Sequence, residues 1–223
     1  MKNFITLIKE SFEIYKQKIK PILMLLAVFL ATAIIFGLSF AFLLATQALA
    51  KSSLFFLIFG IILLTMICFV FIGLSFLILV VKPVGTKLKE IFQDAWKKLW
   101  GYLLISILVG FFTILSFLLL FIPGLIVGIY LMLCPYVFII EGGKGMNVLK
   151  RSWALVKGNW WEVFGRIILL NIAVMIIFSI FNSANNLLGS LFQSLCMPFS
   201  MIFMYLIYLE LKKSKEIQIQ PQE

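Results

Sequence analysis

Apolar residues run for long stretches along this chain, and the polar ones gather in short clusters between them. Six stretches, 21–48, 54–81, 102–121, 125–140, 163–183 and 187–209, approach or exceed the roughly 20 residues that span a bilayer core. Three of the intervening segments have a helical period. In 2–20, Phe4, Ile8, Phe12, Tyr15 and Ile19 recur at three- and four-residue steps, with Lys9, Glu10, Glu13, Lys16 and Lys20 on the other face. In 84–100, Leu88, Phe92, Ala95, Trp96 and Leu99 oppose Lys87, Lys89, Asp94, Lys97 and Lys98. In 146–161, Leu149, Trp153, Val156 and Trp160 oppose Lys150, Arg151, Lys157 and Asn159. Such segments suit helices lying in a membrane interface. The pattern predicts an all-α membrane protein with six transmembrane helices and three cytoplasmic-side amphipathic interfacial helices. They form one integral domain, 1–210, followed by a polar cytoplasmic tail, 211–223, with no sign of structure.

Proline and glycine punctuate this plan. Pro21 marks a junction after the first amphipathic segment, because the residue before a proline disfavours the α region. Lys82-Pro83 stops the second crossing, and Ile122-Pro123-Gly124 is expected to turn the chain between the third and fourth. Pro135 predicts a kink near 131–135, since it removes one backbone bond. Gly142, Gly143 and Gly145 break the chain before the third amphipathic segment, and Pro198 falls in the middle of the sixth crossing. Gly124 and Gly128 form a small-xxx-small pair that would admit a neighbouring helix, and Asn171 is expected to hydrogen-bond between helices.

Composition agrees and adds direction. The 223 residues are 63% hydrophobic and only 13% charged, far from the average of about 25% charged residues in soluble domains. The net charge is +10. Nucleic acid is excluded as the partner, since no basic stripe on a soluble fold would carry it. Of the nineteen basic residues, only Lys51 falls in an outer connection under the expected threading. The positive-inside rule then places both termini in the cytoplasm. All five tryptophans lie in the two later amphipathic segments, as an aromatic belt on the inner leaflet would require. Ala48-Leu49-Ala50 imitates a signal-peptide cleavage site, but the apolar run before it is too long for one, so a retained crossing is expected.

The three amphipathic-plus-hairpin units suggest a threefold repeat: Tyr15-Lys16, Trp96-Lys97 and Val156-Lys157 take equivalent places. Ile122-Pro123-Gly124, Pro135-Tyr136-Val137, Ser152-Trp153 with Lys157-Gly158, and the Tyr205…Tyr208-Leu209 end carry a family likeness. They resemble the membrane domain attached to some bacterial glycerophosphoryl diester phosphodiesterases, and that domain's free-standing relatives. The likeness covers most of the chain and is strongest from Ile122 onward. It implies the membrane part alone, not the soluble metal-dependent barrel.

Candidate chemistry is sparse. Histidine is absent, which removes the commonest general base and metal ligand. Cys68, Cys134 and Cys196 lie in apolar runs without ligand or redox spacing. Glu141, Glu162 and Glu210 could meet Arg151, Arg166 or Lys212 near the inner interface, as ordinary ion pairs at helix ends. No catalytic, cofactor or metal residues are expected. Lys16, Lys97, Lys98, Lys150, Arg151 and Lys157, with Trp96, Trp100, Trp153 and Trp160, are expected to contact anionic lipid headgroups. Gly124, Gly128, Pro135, Asn171 and Pro198 are expected to serve helix packing or kinks. The expected role is a non-catalytic, lipid-facing scaffold that could also take a protein partner or form a homo-oligomer. A small-solute or lipid transporter is the alternative.

Overall fold

The computed structural model describes residues 3–45 and 53–219. Among them lie α1 (Phe4–Gln17), α2 (Ile19–Ala45), α3 (Ser53–Val81), α4 (Leu88–Leu119), α5 (Phe121–Leu131), α6 (Cys134–Glu141), α7 (Met146–Val156), α8 (Trp160–Ala184) and α9 (Asn186–Ile219). No described residue is in a strand. Six helices are long and apolar enough to cross a membrane, with α5 and α6 together making the fourth. This is the architecture of a multi-pass membrane protein. Outward-facing side chains such as Leu118 (79% exposed) and Met175 (72%) are apolar, as a lipid solvent requires.

The core gathers around the last two turns of α3. Every residue from Leu74 to Val80 is buried and all but Ser75 are apolar, as suits a helix enclosed by others. α2, α4 and α9 pack along α3, and α9 also takes α8 and α1. Phe203, Ile207 and Tyr208 of α9 close the core from the far side.

Several boundaries differ from those the sequence suggests. The junction between α1 and α2 is Lys18, not Pro21. Pro21 sits in the first turn of α2, where its missing N–H would have had no partner in any case. Segments 84–100 and 102–121 do not form two helices: α4 runs unbroken through Gly101. A lone glycine costs a helix only about 1 kcal/mol, and here it admits the ring of Phe138, which a Cβ would meet at 2.9 Å. The turn after α4 is a single extended residue, Leu120, so Pro123 and Gly124 belong to α5 instead of making the turn. Trp160 and Trp161 open α8 instead of ending α7. The tail is not structureless up to residue 219, because α9 continues to Ile219. Its extension carries a helix-type pair, Lys212 with Glu216. The 46–52 connection, with Lys51 and the end of the expected 21–48 crossing, lies outside the described residues, as do Lys2 and the end of the tail.

Candidate functional site

The fourth crossing breaks at Met132–Leu133, within the stretch where Pro135 predicts a kink, and α6 begins with Pro135 in its first turn. A broken helix at membrane depth frees backbone carbonyls that neither lipid nor its own helix can satisfy. α7 supplies the repair. Ser152 Oγ donates to Tyr130 O at 2.6 Å, next to the end of α5, and the neighbouring Arg151 Nε donates to Glu141 Oε2 at 2.8 Å, at the end of α6. One short helix thus ties both halves of the broken crossing. Trp153 stacks on Tyr130 with ring centroids 3.9 Å apart, which fixes α7 against α5.

The C-terminus of α6 is a polar hub. Gly142, at φ +72°, ends the helix in the left-handed conformation that glycine tolerates. Glu141 Oε1 accepts Tyr208 Oη at 2.8 Å, and Lys212 Nζ stands 4.0 Å away. Lys98 Nζ donates to Ile139 O at 3.0 Å. A carboxylate at a helix C-terminus meets the negative end of the dipole, and here Lys98, Arg151 and Lys212 offset it. A second ion pair, Arg166 with Glu210 at 2.7 Å, joins α8 to α9, and both its side chains are nearly buried. Glu162 lies exposed in the first turn of α8. Tyr136 donates to Met201 O at 2.8 Å, and its ring lies over those of Tyr205 and Tyr208, 6.4 and 6.3 Å away. The Pro-Tyr, Ser-Trp and Tyr…Tyr motifs, far apart in sequence, therefore meet around one break.

The N-terminal helix α1 plays a similar part. α1 buries Leu7 and Ser11 and lays Phe4 against Phe203 and Tyr15 against Phe199 of α9. Tyr15 Oη donates to Leu195 O at 3.2 Å, one turn before Pro198. That proline removes one bond and crowds the carbonyls of the preceding turn, yet α9 stays helical through it. Burial raises the Tyr15 phenol above its ordinary value, with Cys196 adding a smaller push, which keeps it a donor. Lys18 is buried, and its Nζ donates to Leu79 O, Val80 O and Lys82 O at 2.9, 2.8 and 2.6 Å. It caps the C-terminus of α3, where the last carbonyls lack intrahelical partners and the dipole favours a cation. Burial lowers the Lys18 ammonium to about 8.

The basic residues and tryptophans of the amphipathic segments therefore divide into two groups. Lys98 and Arg151 each spend one donor inward, on Ile139 O and on Glu141 Oε2. Trp160 is half-buried and stacked on Phe164. Lys16, over the ring of Phe12 at 4.6 Å, and Lys97, Lys150 and Lys157 are exposed. Trp96 and Trp100 stand out at 70% and 79% exposure, joined by Trp161 at 76%. Gly124 is a close-approach point, since a Cβ there would meet Phe117 at 2.5 Å, whereas Gly128 faces open space. Asn171 Nδ2 donates to Ile167 O of its own helix at 2.8 Å, and the residue is exposed.

Lys18 and Gly101 have no role in the sequence expectations, and Ser152 and Tyr208 enter there only through the family likeness. A signal existed for the first: Ser11 and Lys18 sit four and eleven residues after Leu7, on the buried stripe of α1. A cavity of about 460 Å³ lies beside the break, lined by Met132, Pro135 and Tyr136 and, on α9, by Cys196, Met197, Ser200, Met201 and Met204. Among the described residues, no cluster of three or more His, Cys, Asp or Glu could hold a metal ion. No protein-family model, curated protein or solved structure matches the chain.

Proposed function

We propose that this chain is a non-catalytic, multi-pass protein of the bacterial inner membrane, with both termini cytoplasmic. Its role is to hold a cationic, Trp-rich surface against the anionic headgroups of the inner leaflet, as a lipid-facing scaffold or partner-binding module. The observation that carries this reading is the exposed set of Trp96, Trp100 and Trp161 with Lys16, Lys97, Lys150 and Lys157. Aromatic rings with an apolar body and a polar edge, beside exposed cations, match the inner headgroup region. The motif likeness to the membrane domain of glycerophosphoryl diester phosphodiesterases supports a membrane module of this kind. The threefold repeat is part of the proposal: the α4–α5 and α8–α9 turns share one backbone form, which supports common descent of those two units.

The test is lipid selection by the whole protein. Reconstituted in mixed phosphatidylglycerol and phosphatidylcholine nanodiscs, it should enrich the anionic lipid around its tryptophans, and salt should reduce the enrichment. Equal occupancy by the two lipids would refute the electrostatic reading. A reporter fused after Pro123 should sit outside the cell; a cytosolic signal would overturn the threading.

The cavity beside Met132 and Pro135 favours a second reading, passage of a small solute or lipid through the broken crossing. Flux into liposomes containing the purified protein would establish it.

A further inference from the structure

A second apolar hollow lies between α4, α5 and α7, with a volume of about 350 Å³. Its walls are Phe112 of α4, Val127 and Leu131 of α5, and Leu149 and Trp153 of α7. The wall is preformed: Trp153 is locked on Tyr130, and Ser152 beside it is bonded to the carbonyl of the same tyrosine. Preorganised apolar walls lower the ordering cost of a guest.

One charged group touches this hollow, Lys150. It is exposed, and it stands one residue before Arg151, which is committed to Glu141. No acidic residue lines the hollow, and the hydroxyl of Ser116, also in its wall, is already donated to Phe112 O at 2.7 Å. The site therefore offers a cleft for hydrocarbon and a single cation. An uncharged apolar molecule would leave the cation unused, and a free phosphate would leave the walls unused. We infer that the hollow seats one acyl chain of an anionic phospholipid from the surrounding bilayer, with the Lys150 ammonium on its phosphate. This rests on the proposal above that the basic side of the protein faces anionic headgroups, and it converts a diffuse preference into one defined site.

The experiment uses the full chain in nanodiscs doped with a photoactivatable phosphatidylglycerol or the matching phosphatidylcholine, its acyl chain carrying the reactive group. Crosslinks are mapped by peptide mass spectrometry, and lipid enrichment around the whole protein is measured in parallel. The anionic probe should label the walls near Val127 and Leu131, and the zwitterionic probe should label them less. Lys150→Ala removes an exposed side chain and no packing, and it should lower the wall labelling by about fivefold, the scale of one lysine–headgroup contact. Val127→Phe, which fills the hollow and keeps the charge, should lower it as well. Equal wall labelling by both probes, or labelling indifferent to Lys150→Ala, would overturn the assignment. Absent wall labelling with overall anionic enrichment retained would remove the site and leave the broader reading standing; loss of both would remove the broader reading too.

Discussion

The α4–α5 and α8–α9 hairpins turn in the same way with different residues. Each pivots on one extended residue, Leu120 (φ −164°, ψ 145°) or Asn185 (φ −165°, ψ 131°). Four residues later comes a glycine, Gly124 or Gly189, whose N–H bonds back to the pivot carbonyl. In each, a Cβ on that glycine would strike the residue three before the pivot, Phe117 at 2.5 Å or Asn182 at 2.7 Å. One turn is apolar, FLLLFIPG, and the other amide-rich, NSANNLLG. Backbone form is therefore set by the glycine and its close neighbour, and turn polarity is free to vary. The returning strokes diverge. α9 passes through Pro198 intact, while the fourth crossing parts two residues before Cys134-Pro135. A proline alone therefore does not decide the outcome. Tyr15 holds α9 at Leu195 O just ahead of one proline, and Ser152 holds Tyr130 O just ahead of the break.

The two hairpins also close differently at their open ends, and this gives the largest predicted effect. Arg166 and Glu210 close α8–α9 as a nearly buried ion pair, so breaking it by Arg166→Met or Glu210→Gln should cost up to about 3–5 kcal/mol. Reversible unfolding in mixed micelles would measure it, and loss below 1 kcal/mol would show the pair to be solvated. Lys98→Met, which removes one bond to a carbonyl in the other hairpin, should cost less. Next come the pivot glycines. Gly124→Leu and Gly189→Leu should each destabilise by about 1–3 kcal/mol through overpacking, with similar size if the turns are equivalent. Ser152→Ala and Tyr15→Phe should each cost about 0.5–1.5 kcal/mol, and Ser152→Ala should loosen the break as seen by amide exchange in α6. Equal exchange in both proteins would show that α7 does not brace it.

The gentlest probe is pH. An unfolded lysine keeps its proton to about 10.5, whereas Lys18 in the fold gives it up near 8. Between those values the unfolded chain binds more protons, so stability should rise with pH across that window. Lys18→Met should flatten that rise. An unchanged slope in the variant would assign it to another group.

Long uncharged runs made the six crossings legible, because lipid tolerates little else. Pro135 marked the break for the same reason: a missing N–H is visible in one residue. Gly101 did not reveal an unbroken α4, since a glycine reads alike whether it ends a helix or admits a neighbour's ring, and only Phe138 decides between them. The inward use of Lys98 and Arg151 was hidden as well. Both carry the pattern of surface cations, and their partners are a main-chain oxygen and a carboxylate brought near by folding.

Lys18 precedes Leu79, the first carbonyl it caps, by 61 residues. During synthesis it is therefore made before the helix whose end it seals. The first hairpin can finish this edge as soon as Lys82 leaves the ribosome, while the body of α1 must wait for α9, the last of the described helices. Biogenesis would thus have two stages: an early latch at the α1–α2 corner, then a late docking that commits the N-terminus to the assembled bundle.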